Sequence, residues 1–507
     1  MSIAATLPSG ARLEHRGLSY WMDRVLEELE TVCSSPSPNA VHDLRVAIRH
    51  CRSLASVMEA VDQDPAWPEM RKAGKKLFRG LGALRDAQVL DEWVCKLGGY
   101  GDPVREQFHA ALEANEPELR DGALRAARKF DQKSWRRLER HLRQRMRLIP
   151  TGSLAAECLA LERLDEAKEL HTRALRTQNP IPWHALRIGL KKFRYTIAGF
   201  LPEHYAAWAE HLKRLQDTLG EIHDLDVLAE AIRHDTVAHA EDIATAWNDL
   251  LARERNERIE VYRQLTLGKT GFWNEWRNNL PHNGRLEAAG LARLFATARA
   301  ADSHPRRTAR DSRIAVALFE ALRKIQVSPI FSDPAMHRVL RAASRMYVLG
   351  CGAKSSSPQK SARKLLLRLH IPPGWSAEEW ELLGWTVRFY RGAEPNAAIG
   401  AFAKLQRGLQ ENIRMLAGVI RLARTLRKHG AEGGAGIRAE NSGATILLRV
   451  PNIRDTAESA AQLAVGKHLL ERALQLPVVP KTFLKPEKIV SLPAPNADPL
   501  RRSVASD

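Results

Sequence analysis

Residues 41–52 read VHDLRVAIRHCR, and the spacing of their ionic side chains decides how the chain folds. His42, Arg45, Arg49 and Arg52 follow one another at intervals of three, four and three residues. At about 100° per residue, these intervals hold all four within an arc of roughly 80° along about 15 Å of helix. Val41, Leu44, Ala47, Ile48, Cys51, Leu54, Ala55 and Met58 gather on a separate face, the stripe a helix buries against its neighbours. The stretch predicts a helix with one cationic face and one core face.

The pattern returns at residues 183–194, WHALRIGLKKFR. His184, Arg187, Lys191 and Arg194 repeat the same intervals, and Trp183, Leu186, Leu190, Phe193 and Ile197 rebuild the apolar stripe. Downstream of each helix lies a second shared element, LGALRDAQVL at 81–90 and LGEIHDLDVL at 219–228. Two parts recurring in the same order define an internal duplication. Taken alone, an arginine on such a helix reads as a member of a weak surface ion pair, and a histidine as a packing residue. Recurrence at fixed spacing reverses both readings in favour of an anion-binding face. Asp86 and Asp224, inside the second element, read as helix caps or as salt-bridge partners for Arg85 and nearby helices.

The paired motifs resemble the conserved histidine α-helical domain, CHAD, over residues 12–280, with halves of about 12–150 and 151–280. The resemblance implies an all-α fold of two facing helical bundles around a basic groove, and inorganic polyphosphate as the ligand. Carried over by position, the ligand-facing set is His42, Arg45, Arg49 and Arg52 with His184, Arg187, Lys191 and Arg194. The helix after each histidine helix offers Lys72, Lys75 or Lys76, and Arg79 on one face in the first half, either a further phosphate contact or a solvated helix face, and Lys213 and Arg214 in the second. There Asp217 stands where the first half has Arg79, so the second half brings less charge.

The composition supports an anionic partner. The chain has 507 residues with 78 Lys+Arg against 59 Asp+Glu, a formal charge of +19. Residues 1–300 hold 45 basic and 42 acidic side chains, whereas 301–507 hold 33 and 17, so the second part carries most of the excess. Five widely spaced cysteines without a C-x-x-C pair suit a reducing compartment. No apolar run approaches the ~18 residues of a membrane span, and the first residues lack a leader pattern. Together these imply a cytoplasmic protein with no membrane partner, and the CHAD resemblance adds polyphosphate granules as a candidate location.

Along the chain, residues 281–305 read as a linker with its own short helix, and helices resume from Pro305. IRAE and ATILLRV flank Asn441-Ser442-Gly443 as a small β-hairpin. A final helix covers about Thr456 to Leu474, and the Pro-rich, charged residues 476–507 read as a disordered tail.

Residues 306–475 resemble the C-terminal helical, HD-like domain of the exopolyphosphatase and guanosine pentaphosphatase family, through SRIAVALFEAL, AASRMYVLG, VRFYRGAEP and VIRLARTL. A metal-dependent HD site needs imidazoles and a carboxylate converging on a cation. At the corresponding positions this chain carries Tyr347, Val348, Lys360, Tyr390 and Arg424. The resemblance therefore implies a degenerate, non-catalytic domain without metal or cofactor. Arg388, Arg391, Arg414, Arg421 and Arg424 are its candidate secondary phosphate contacts, and polyphosphate-metabolising enzymes are candidate partners. Two alternatives stay open: a phosphohydrolase acting on polyphosphate or a nucleotide, and a nucleic-acid binder. Base stacking would need exposed aromatics among the cations, and Trp375, Trp380, Trp385, Phe389 and Tyr390 read as core.

Overall fold

The computed structural model describes residues 17–35, 37–235, 241–352, 356–396, 398–454 and 456–483. The fold is all-α with one small sheet. In order, the helices are α1 Leu18–Ser34, α2 Pro38–Met58, α3 Ala66–Gly80, α4 Gly82–Leu97, α5 Pro103–Arg128, α6 Gln132–Arg145, α7 Leu154–Ala174, α8 Pro180–Phe200, α9 Pro202–Asp235, α10 Glu241–Thr266, α11 Phe272–Asn279 and α12 Asn283–Ala301. They continue as α13 Pro305–Lys324, α14 Pro334–Met346, α15 Pro358–Leu366, α16 Ala377–Phe389, α17 Gly400–Ala403, α18 Arg407–Lys428 and α19 Ala457–Leu474. The strands are β1 Arg438–Asn441, β2 Ile446–Pro451 and β3 Val478–Phe483.

The two histidine helices are built alike from their first residue. Ser37 caps α2, its hydroxyl accepting from the Ala40 amide at 3.2 Å, and Asn179 caps α8 by accepting from the Ile181 amide at 2.9 Å. Each cap is followed by a proline, whose missing N–H costs nothing at the first helical position. Both helices are 21 residues long, and each histidine stands four residues after its proline. Equal starts put the equivalent cations in equal register.

The halves share a core. Leu44, Ile48, Cys51 and Leu54 of α2 and Leu186, Leu190, Phe193 and Ile197 of α8 belong to one buried cluster that also takes in α1, α3, α6, α7 and α9. A second buried cluster joins Trp93 and Val94 of α4 to Leu225, Leu228 and Ile232 of α9 and Trp247 and Leu251 of α10. Burying side chains of this size stabilises by ~1.5–3 kcal/mol each. Where α2 passes α8, a Cβ at Gly199 would overlap Leu54 Cδ2, and Leu54 is 1% exposed with no room to retreat. Gly199→Val is expected to destabilise the bundle by about 1–3 kcal/mol, read as a lower midpoint in urea unfolding.

The halves also differ. In the first, α3 ends at Gly80 and α4 starts at Gly82, where a Cβ at Gly80 would overlap Ala126 of α5. In the second, one 34-residue helix, α9, covers both counterparts.

The chain divides into two compact units otherwise than its linear order suggests. The first comprises residues up to Thr308 together with Ala342–Gly392, and the second Ala309–Arg341 with the residues from Ala393 onward. The expected 306–475 block is thus interrupted, because residues 342–392 pack on α12: Arg345 stacks over Phe295 at 4.1 Å, and Gly290 lets Trp375 come close. For the same reason 281–305 is no linker. It holds the 19-residue α12, whose Ala289, Leu291, Leu294 and Ala298 are buried and whose Arg293, 1% exposed, meets Glu162 of α7 at 2.7 Å.

In the second unit α18 and α19 lie close, with Gly418 against the Leu470 backbone and Gly466 against Thr425. The expected hairpin is present as β1 and β2, paired antiparallel from Asn441↔Ile446 to Arg438↔Arg449. Residues 478–483, expected in the disordered tail, instead form β3, parallel to β2 from Ile446↔Val478. Alternation places Val478 in the core while Pro480 takes a sheet-edge place, where its missing N–H is tolerated. Residues 484–507 of the expected tail lie outside the described residues. All five cysteines are unpaired. No helix among the described residues is long and apolar enough to cross a membrane.

Candidate functional site: a basic cleft between the duplicated helices

The cationic faces of α2 and α8 open onto one cleft of about 640 Å³, lined by His42, Arg45 and Arg49 from α2 and by Arg187 and Lys191 from α8. Phe78 of α3 forms part of the wall. The duplicated second element supplies most of the remainder. Arg85, Asp86 and Val89 come from α4, and the equivalent His223, Asp224 and Val227 from α9, joined by Gln216, Asp217 and Glu221.

Asp86 and Asp224 cap nothing, since both lie inside helices and α4 has no side-chain cap. Asp86 Oδ1 accepts from Arg45 Nη2 at 3.4 Å, while Arg85 turns away to donate to Glu92 at 2.9 Å. Asp224 lies beside Arg187 and Lys191, and burial nonetheless raises its carboxyl above the usual range. Each half thus sets one carboxylate against its own basic helix.

Three guanidiniums surround the Phe78 ring, with Cζ atoms of Arg45, Arg52 and Arg49 at 4.3, 5.4 and 5.9 Å from its centroid. The ring face offsets part of their mutual repulsion. Arg45 Nη1, Arg52 Nε and Arg187 Nε are buried without a hydrogen-bond partner, which is costly unless a ligand supplies an acceptor. Among the described residues no carboxylate lies within ion-pair distance of Arg49, Arg187 or Lys191.

Crowding shows in the proton equilibria. Burial, then Arg187 and Arg49, pull the Lys191 amine down to about 6. His223 falls to about 4 through burial and Arg187. His42 is lowered by burial and Arg85, and His184 by burial and Arg187. His184 Nδ1 sits 3.2 Å from His223 Nδ1, a distance that requires one ring to donate and the other to accept. Near neutral pH the free cleft therefore keeps its arginines charged and Lys191 largely neutral. A lysine held below its unfolded pKa destabilises the fold progressively as pH falls from about 10.5 to about 6. Lys191→Met is accordingly expected to raise the melting temperature of the free protein by roughly 2 °C or more, measured by calorimetry at pH 7.

The other expected site residues sit elsewhere. Arg52 lies behind Phe78, and Arg194 donates to Gln216 at 2.7 Å and Tyr205 at 3.4 Å. Lys72, Lys75, Lys76 and Arg79 are exposed on α3, and Lys213 and Arg214 on α9, outside the cleft lining. Arg85 and His223 are the cleft groups that spacing alone passed over. The signal was in the repeat, as each precedes the aspartate of its LGxxxDxxVL element.

In the second unit Arg424 and Arg427 converge on the buried Asp311 at 3.7 and 2.5 Å, Arg421 donates to the Ala393 carbonyl at 3.1 Å, and Arg414 stacks over Phe402 at 5.3 Å. These three expected phosphate contacts, Arg414, Arg421 and Arg424, thus make internal contacts. Arg391 is exposed. Trp375, Trp380, Trp385, Phe389 and Tyr390 are buried, as expected of core.

A duplicated helical bundle enclosing a basic cleft is the class of module that this geometry defines. Residues 18–233 match the family model described as the CHAD domain. A crystal structure of the CHAD domain from the plant Ricinus communis aligns with 52% of this chain and 93% of its own, at 22% identity and a TM-score of 0.39. No curated protein matches the chain.

Proposed function

We propose that the cleft between α2, α4, α8 and α9 binds inorganic polyphosphate without cleaving it. The observation that carries the reading is the convergence of Arg45, Arg49, Arg187 and Lys191 on one cavity, with buried guanidinium nitrogens unsatisfied. Polyphosphate presents one charge per unit on a flexible backbone, and arginine forks match its oxygens in pairs. The CHAD family is linked to polyphosphate binding generally. Binding is read as non-catalytic because three of the four lining carboxylates are engaged, Asp86 with Arg45, Glu221 with Arg258 at 3.0 Å and Asp224 beside Arg187 and Lys191, and the fourth, Asp217, is exposed. In this reading the protein serves as an adaptor for polyphosphate or for the enzymes that handle it.

The test is fluorescence anisotropy with labelled long-chain polyphosphate, with duplex and single-stranded DNA as competitors and phosphate release followed in parallel. Submicromolar binding that survives excess DNA without phosphate release upholds the proposal. Equal competition by DNA makes the cleft a general polyanion site, and release of phosphate makes the protein an enzyme.

A further inference from the structure

A second hollow, of about 390 Å³, lies in the first unit between α15 and α16. It is lined by Lys360, Arg363, Lys364, Leu367, Arg368 and Arg388. Five of those six residues are cationic and none is acidic. Lys360, Arg363, Lys364 and Leu367 fall at intervals of three, one and three along α15, so they share a face, and Arg388 reaches the same space from the last turn of α16. The cluster is built rather than scattered. Arg363 Cζ sits over the Trp385 ring, 4.0 Å from its centroid, and Arg388 Cζ sits 5.2 Å from the Phe389 centroid. Both rings are buried.

Two donors then have nowhere to go: Arg363 Nε and Arg388 Nη1 are buried without a hydrogen-bond partner. A surface that only needed solubility would leave its cations extended in water. Here two are held against indole and phenyl, beside three more of the same sign; Glu381 offsets part of the charge on Arg363, and an anion in the hollow would offset the rest.

We propose that this hollow is a second anion site, distinct from the cleft, for a compact oligophosphate of two or three phosphoryl groups. The cleft is a long-chain site lined from two 21-residue helices, whereas here five cations surround a hollow little more than half as large. That matches high charge in a small volume, either as free inorganic oligophosphate or as the phosphate end of a nucleotide. Of its five cations the sequence singled out only Arg388 as a phosphate contact. Lys360 was noticed solely as the replacement for a metal-binding histidine, and periodicity reveals neither the stacking nor the pairing of the two helices.

Isothermal titration calorimetry on the full chain tests this, with inorganic tripolyphosphate and ATP as separate titrants and sulfate at matched ionic strength as control. Arg49→Gln/Arg187→Gln silences the cleft, and tripolyphosphate is expected still to bind that variant at one site. Adding Lys360→Gln/Lys364→Gln, which changes exposed side chains only, is expected to weaken this binding at least tenfold. Arg363→Gln/Arg388→Gln is expected to abolish it. Long-chain binding to a chain altered only at Lys360 and Lys364 stays within twofold of wild type. Tighter binding of ATP than tripolyphosphate identifies the nucleotide source, and the reverse the free one. A silent titration of the cleft variant, equal heat with sulfate, or binding indifferent to the Lys360/Lys364 changes overturns the second site. Loss of long-chain binding in wild type would overturn the cleft proposal and leave this one standing.

Discussion

The triple variant Arg49→Ala/Arg187→Ala/Lys191→Ala is expected to bind long-chain polyphosphate roughly a thousandfold more weakly than wild type, at about 0.1 M salt. Each charge-assisted hydrogen bond is worth ~1.5–3 kcal/mol, and taking the lower figure for three of them gives about 4.5 kcal/mol. None of the three has an ion-pair partner within 4 Å among the described residues, and the Asp224 carboxyl, which loses Arg187 and Lys191 as neighbours, is already raised by burial, so the loss falls mainly on the ligand. The dependence of log K on log salt should also flatten by about 2, at ~0.7–0.9 per neutralised phosphate. The informative companion is Lys72→Ala/Lys75→Ala/Lys76→Ala, which removes the same formal charge from the exposed face of α3. It should cost less than tenfold, since exposed cations are screened. A loss as large as that of the cleft variant would place the ligand along α3 rather than between α2 and α8.

Binding should tighten as pH falls from 8 to 6. Lys191 ionises near 6 in the free cleft, and His42, His184 and His223 are all held below their ordinary value. A bound polyanion raises each of these pKa values, so between the free and bound values the complex takes up protons and affinity grows with acidity. Below the free value of a group, its contribution is complete and the dependence levels off. Lys191 dominates the window above pH 6, where His223, lowered to about 4, remains neutral in the free protein. Lys191→Arg, charged throughout, should therefore bind more tightly than wild type at pH 8 and converge with it near pH 6. Calorimetry in two buffers of different ionisation enthalpy reads the proton uptake directly. An unchanged pH profile in Lys191→Arg would mean that Lys191 is not in contact with the ligand.

Much of the fold could be read from the chain because a duplication writes the same instructions twice. Ser37-Pro38 and Asn179-Pro180 start two helices in the same register, and the 3-4-3 spacing then fixes which side chains share a face. What spacing could not tell was which cationic face looks into a cavity. Lys72, Lys75 and Lys76 carry the same periodic signature as Arg45 and Arg49, yet only the latter two face a partner helix. For Asp86 and Asp224 the cap alternative fails, because the preceding LG lies at a helix break in one half and inside α9 in the other, while the alternative of an ion pair with a nearby helix holds for Asp86 with Arg45 of α2. Residues 281–305 looked like a linker because small residues dominate α12; its alanines and glycine are what allow α7 and Trp375 to pack so close. The strand β3 was hidden by its proline, which is acceptable only on an edge that the sequence does not announce.

The core shared by α2 and α8 has a consequence for origin. A single half standing alone would expose Leu54 and the rest of the α2 seam, and the surface best shaped to cover it would be the same seam on a second copy, related by a two-fold axis. Such a pair would form only above a threshold concentration, and any substitution would appear on both sides at once. Joining the copies in one polypeptide makes assembly independent of dilution and lets the sides diverge. Arg85 on one wall and His223 on the other are the present record of that freedom: one permanent cation facing one that can be switched by a proton.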